Sequence, residues 1–128
     1  MKVDPIIAVK NVKLSSIWYQ TVFNLKSNHG GDAFEILLDN QNNVVLCLHA
    51  WGDHEHPTMI DAQNNAGNGL ILYFRTDNLN DIREKVISSG GVVEEDIRTN
   101  PNTKKKEFAV RDLDGYYLII SEFHNYQG

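Results

Sequence analysis

The chain has 128 residues, 41% of them hydrophobic and 23% charged, which is the make-up of one globular domain with a real core. Its net charge of −5 speaks against a nucleic-acid binder, which would present a basic face. The one basic run, KKK at 104–106, reads as the solvated edge of a loop. No apolar run approaches the roughly 20 residues that cross a membrane. No basic segment leads into an apolar stretch at the N-terminus, so neither a signal peptide nor a membrane partner is expected, and the expected location is cytoplasmic. Cys47 sits inside VVLCLHA, where it reads as a small buried hydrophobe, and a single cysteine forms no internal disulfide.

In chain order, PIIAVKNV (5–12) is a short apolar strand. LSSIWYQTVFNL (14–25) has helical spacing, which puts Leu14, Ile17, Trp18, Val22 and Leu25 on one side. AFEILLDN and NVVLCLHA are two strands joined by the polar turn DNQNN. A polar linker follows, with Pro57, Asn64, Asn65 and Gly67. GLILYFRT (69–76) is again a strand, and NLNDIREKVISSGG (78–91) a helix that Asn78 can cap and Gly90 and Gly91 can end. VVEEDI is a short strand, and KEFAVRDLDGYYLIISEF a hairpin.

The pattern is a repeat. At an offset of 67, Asn11 and Val12 fall on Asn78 and Leu79, and each pair opens a helix after a strand. Each half reads as βαβββ. One half alone cannot cover both faces of its sheet, but two can. The expected fold is α+β, two βαβββ modules forming a curved, cleft-bearing mixed sheet. Module one is expected over about 1–51, the linker over 52–68 and module two over about 69–124 of a single domain.

LHAWGDHEHP (48–57) is dense in metal-type donors: His49, Asp53, His54, Glu55 and His56. Its spacing matches no metal motif with a physical rationale, such as two histidines one helical turn apart. It reads as a hydrated loop near the end of a strand.

NVKLSSIWYQTVFNL resembles the helix signature of the vicinal oxygen chelate superfamily, which includes glyoxalase I, extradiol dioxygenases and the fosfomycin- and bleomycin-resistance proteins. Asn11, Val12, Ser15, Trp18, Tyr19, Val22, Phe23 and Leu25 fit it. Asn24 stands where glycine is usual, a position that calls for left-handed backbone, which asparagine tolerates next best. YFRTDNLNDIREKVISSGG and EFAVRDLDGYYLIISE match the corresponding segments of the second half, with Leu113 where proline is common. The resemblance implies the fold. It leaves the chemistry open, since the superfamily hosts several reactions.

The resemblance also implies four metal positions, one per strand around the cleft. They fall at about Asp4, Pro5 or Ile6, on Leu46, near Ile71 and on Ile119. Only Asp4 among these carries a donor, and one carboxylate does not hold a divalent cation, so no metal and no cofactor is expected. Strand parity supports the last position. In RDLDGY, Asp112 and Gly115 suit a type I turn with a glycine bulge. That turn sets Val110 beside Leu118 and Phe108 beside Ile120 on one face, and Glu107, Ala109, Arg111, Tyr117, Ile119 and Ser121 on the other.

By the same parity Tyr73, Arg75, Glu107, Arg111 and Tyr117 line the cleft and, with Trp51, form a cup of aromatic walls and a few charges. Leu46, Ile71 and Ile119 join this ligand-binding set in place of metal ligands. The reading is a small-molecule-binding protein with a degenerate metal site, similar to bleomycin-resistance proteins, which are acidic dimers that sequester a cationic, partly aromatic drug. Arg75 and Arg111 would suit an anionic group better. The competing reading is a glyoxalase-like lyase or isomerase, or a dioxygenase-like enzyme, with relocated ligands drawn from Asp4, Glu107, His49, His54 or His56. A homodimer is expected from the resemblance, with no nucleic-acid partner.

Overall fold

The computed structural model describes residues 2–52, 56–62, 67 and 70–123. The chain divides into two compact units, 1–66 and 67–128. Each holds one helix and one four-stranded mixed sheet, so the fold is α+β and each unit is a βαβββ module. No helix among the described residues is long and apolar enough to cross a membrane.

The first unit runs β1 (Ile6–Val9), α1 (Val12–Phe23), β2 (Lys26–Ser27), β3 (Phe34–Leu38) and β4 (Val44–Ala50), with sheet order β1-β4-β3-β2. β1 pairs parallel with β4, and the other pairs are antiparallel. Asn11 caps α1: its side-chain oxygen accepts the backbone N–H of Leu14 at 3.0 Å. Asn24 ends the helix in left-handed backbone, φ 55° and ψ 45°, as its place in the sequence requires. Trp18 and Val22 are buried, but Leu14 and Ile17 are 59% and 60% exposed. The apolar side expected of this helix is therefore narrower than its spacing suggests. Val12, Ser15, Ser16 and Tyr19 take the buried places instead, because the helix presses on the sheet along the Ser15–Tyr19 line.

Glu35 fastens α1 to the sheet. It is 3% exposed. Its Oε2 accepts the hydroxyls of Ser16 at 3.1 Å and Ser27 at 2.7 Å. Its Oε1 accepts the backbone N–H groups of His29, Gly30 and Ile36 at 3.1, 3.0 and 2.9 Å. After β4, a 3₁₀ turn at Pro57–Met59 folds back onto the unit: Gly52 N–H donates to the Met59 carbonyl at 2.6 Å, and Met59 is buried. Part of the expected linker is thus packed structure. Asp53, His54 and Glu55 lie outside the described residues.

The second unit runs β5 (Leu72–Thr76), α2 (Leu79–Ser88), β6 (Val92–Thr99), β7 (Lys106–Arg111) and β8 (Tyr117–Glu122), with sheet order β5-β8-β7-β6. β5 pairs parallel with β8, so the connectivity repeats that of the first unit. The β7–β8 turn is the expected one. Asp112 N–H donates to the Tyr116 carbonyl and Gly115 N–H to the Asp112 carbonyl, each at 3.1 Å, with Gly115 at φ 90°. Phe108 and Val110 pair with Ile120 and Leu118, and all four are buried on the face that α2 covers with Leu79, Ile82 and Val86. Gly90 and Gly91 close α2: Gly91 N–H donates to the Val86 carbonyl and Gly90 N–H to that of Ile87, the Schellman arrangement. Asn78 stands at the helix start, but its side chain makes no capping bond.

Candidate functional site

Residues paired across strands share a face. In the first sheet Glu35 pairs with Leu48 and Leu37 with Leu46, and Glu35 is bonded to Ser16 of α1. Leu46 and Leu48 therefore face the helix. This corrects the placement of Leu46 as a cleft residue. VVLCLHA is apolar on both faces, so alternation alone cannot tell which face meets the helix. The helix-free face of this sheet carries Ile6 and Ala8 of β1, Phe34 and Ile36 of β3, and Cys47 and His49 of β4.

On that face lies a hollow of about 620 Å³. Among the described residues it is lined by Asp4, Ile6, Phe34, His49, His56, Thr58 and Met59. Three edge-to-face contacts link four rings across the sheet. His29 and Phe34 stand 5.4 Å apart, Phe34 and His49 5.9 Å, and His49 and His56 5.4 Å. One nitrogen of His49, Nδ1, lies 2.8 Å from the Ala50 carbonyl and fixes the ring. Burial, aided by the Asp4 carboxylate, pushes the Cys47 thiol above its usual range, which leaves it a packed hydrophobe rather than a nucleophile. Trp51 is half-buried in the turn just beyond β4. Reading the sequence flagged Asp4, Ile6, His49 and His56 but missed Phe34, Thr58 and Met59. The signal for Phe34 was its register opposite His49, which no pattern within a single strand reveals.

In the second unit the parity argument holds. Tyr73 pairs with Ile119 and Ile119 with Ala109, Arg75 pairs with Ser121 and Ser121 with Glu107, and Arg111 pairs with Tyr117. All lie on the face away from α2. Ile71 stands just ahead of β5 and is exposed. Glu107 is 4% exposed although no helix covers it. Tyr73 donates its hydroxyl to Glu107 Oε2 at 3.3 Å, and the Asn100 amide donates to Oε1 at 3.0 Å. Arg98 stands 3.7 Å from the same carboxylate and 2.6 Å from Glu95. Arg111 donates to Glu94 at 3.1 Å and to the Gly115 carbonyl at 2.9 Å, with its guanidinium 4.8 Å from the Tyr117 ring centre. Arg75 lies 5.3 Å from the Phe123 ring centre. The recess left among Glu95, Arg98, Glu107, Ala109, Tyr117 and Ile119 is about 20 Å³, room for little beyond one water.

A divalent cation needs three or four N, O or S donors. Among the described residues no three His, Cys, Asp or Glu side chains stand together in a way that would hold one. Of the positions that the family resemblance points to, Leu46 faces the helix, and Ile71 and Ile119 carry no donor.

No family model matches the sequence, and no curated protein does. Solved structures match over nearly the whole chain. A protein from the mobile metagenome of V. pseudocholerae is 26% identical, with a TM-score of 0.70, over 98% of this chain and 96% of that one. A glyoxalase/bleomycin resistance protein/dioxygenase family enzyme from Burkholderia phytofirmans is 16% identical, with a TM-score of 0.77, over 94% and 98%. A lactoylglutathione lyase from Agrobacterium tumefaciens is 15% identical, with a TM-score of 0.70, over 95% and 92%. The two βαβββ modules of this chain therefore have the fold of the glyoxalase/bleomycin resistance/dioxygenase proteins, the vicinal oxygen chelate fold.

Proposed function

We propose that this chain is a small-molecule-binding protein with a degenerate metal site, which sequesters a drug or metabolite. The observation that carries the reading is the hollow in the first unit. Its volume, about 620 Å³, suits a drug-sized ligand, and its lining is an apolar wall of Ile6, Phe34 and Met59 with a few polar groups. The fold is shared with a glyoxalase/bleomycin resistance protein/dioxygenase family enzyme, so bleomycin belongs in the first screen. Tyr73, Tyr117 and Trp51 remain proposed ligand contacts. The test is a screen of planar organic compounds by intrinsic tryptophan fluorescence, repeated with Phe34→Ala. Binding that Phe34→Ala weakens about tenfold or more supports the reading, on the scale of a buried aromatic anchor. A screen with no binder, or binders indifferent to Phe34, counts against it.

One observation favours a second reading, a glyoxalase-like lyase. Asp4, His49 and His56 border the same hollow, and the chain shares its fold with a lactoylglutathione lyase. Stoichiometric nickel or zinc in the purified, untagged protein, together with turnover of a hemithioacetal, would establish it.

A further inference from the structure

We propose that the second unit carries a carbohydrate-binding site of its own, at the end of its sheet where Phe123 stands. A hollow of about 490 Å³ opens there, within the size range of small-molecule sites. Three pieces of the unit line it: the stretch from Thr76 through the first turn of α2, the start of β7 and the end of β8. Thr76 pairs with Glu122, so the parallel strands β5 and β8 finish side by side there. The Lys106 backbone N–H donates to Glu122 Oε1 at 2.6 Å, which ties the start of β7 to the same place.

The lining is mostly polar, unlike the apolar wall in the first unit. Among the described residues, the side chains of Asp77, Asn78, Asn80, Lys105 and Lys106 have no hydrogen bond or ion pair within the chain. Two are amides, which both donate and accept; one is a carboxylate and two are ammonium groups. Asp81 is already paired, with Lys85 at 3.2 Å. The charges of the lining oppose one another. An anion would meet Asp77 and Glu122, and a cation would meet Lys105 and Lys106. A neutral ligand rich in hydroxyls meets neither conflict. Each hydroxyl donates to a carboxylate or amide oxygen and accepts from an ammonium or amide N–H.

Phe123 narrows the class further. It is 55% exposed, a large ring that the fold leaves unburied. The Arg75 guanidinium stands over the ring, 5.3 Å from its centre, and helps to hold it in place. An aromatic face is electron-rich and attracts C–H groups polarised by neighbouring oxygens. A pyranose offers both features, a rim of hydroxyls and a flat patch of such C–H groups. A flat aromatic ligand would cover Phe123 but leave the donors and acceptors around it unmatched, at a cost.

The test is saturation-transfer NMR on the full chain with four probes: methyl β-D-glucopyranoside, methyl β-D-galactopyranoside, N-acetylglucosamine and cellobiose. At least one is expected to bind, with the strongest transfer to the C–H protons of one pyranose face. Phe123→Ala is expected to weaken that sugar about tenfold, the scale of one ring contact, and Phe123→Tyr to keep it. Asp77→Ala is expected to weaken it severalfold, the scale of one hydrogen bond. Both positions are exposed, so the variants are expected to melt with the wild-type chain. If none of the four sugars binds, the proposal falls. If one binds and Phe123→Ala keeps its affinity, the site is elsewhere and the proposal is overturned. If inorganic phosphate, titrated calorimetrically, binds more tightly than any of the sugars and Lys105→Ala abolishes it, the hollow takes anions and the proposal is overturned. The small-molecule reading of the first unit stands or falls separately, on Phe34.

Discussion

Glu35 shows how much one buried carboxylate can organise. Burial raises its pKa, but the donors at Gly30, Ser27, His29 and Ile36 outweigh that and lower it from 4.5 to about 2. The folded chain thus holds the charged form better than the unfolded chain does. The stabilisation is complete above about pH 4.5 and is lost as the pH falls towards 2. Its size is roughly 3 kcal/mol. Urea denaturation of Glu35→Gln at pH 7 should show a loss of about that size, and the variant's stability should be flatter between pH 5 and 3 than that of the wild-type chain. At the same scale, the tyrosines on the helix-free face of the second sheet have a separate test. Replacing Tyr73 and Tyr117 with alanine should weaken any ligand they contact by about tenfold or more. Unchanged affinity would leave them the structural role that the Tyr73–Glu107 bond already gives one of them.

The two helices open on asparagines at matching places of the repeat, but only one asparagine caps through its side chain. Asn11→Ala should cost about 1 kcal/mol, and Asn78→Ala a few tenths, in thermal or urea melts. Equal costs would mean that the two helix starts behave alike in solution. Asn24→Gly should hold or raise stability by up to about 1 kcal/mol, because glycine enters left-handed backbone without the Cβ penalty. The elements also show where the sequence can be read and where it cannot. The β7–β8 hairpin was legible to the residue, since Asp112 and Gly115 determine the turn and the turn determines every pair after it. Helical spacing carried α1 on to Leu25, and its end at Asn24 was legible only through the family resemblance, which sets that residue where glycine is usual. The face of β4 was not. Leu46, Cys47 and Leu48 are all buried, so the polar–apolar contrast that marks a face is missing, and only Glu35 on the neighbouring strand decides it. The hollow was illegible as a whole, because the segment before β1, three strands of the sheet and the 3₁₀ turn at Pro57–Met59 each contribute one or two residues.

For the molecule as a whole, we propose a homodimer, carried by the family resemblance. Sedimentation equilibrium at micromolar concentration should return twice the chain mass, and the mass of a single chain would overturn it. The repeated order of strands has a further consequence, for how the chain is made. In each unit the strand synthesised first sits at the sheet edge and pairs with the strand synthesised last: Ile6–Val9 with Cys47–Ala50, and Leu72–Thr76 with Leu118–Glu122. A nascent chain that has released only its first forty residues holds a strand and a helix with no parallel partner to dock on. Closure of each unit must therefore wait for its final strand, and contacts of such long sequence separation form slowly. Until residue 50 is free, Ile7, Val9 and the buried side of α1 are surface that a chaperone can grip.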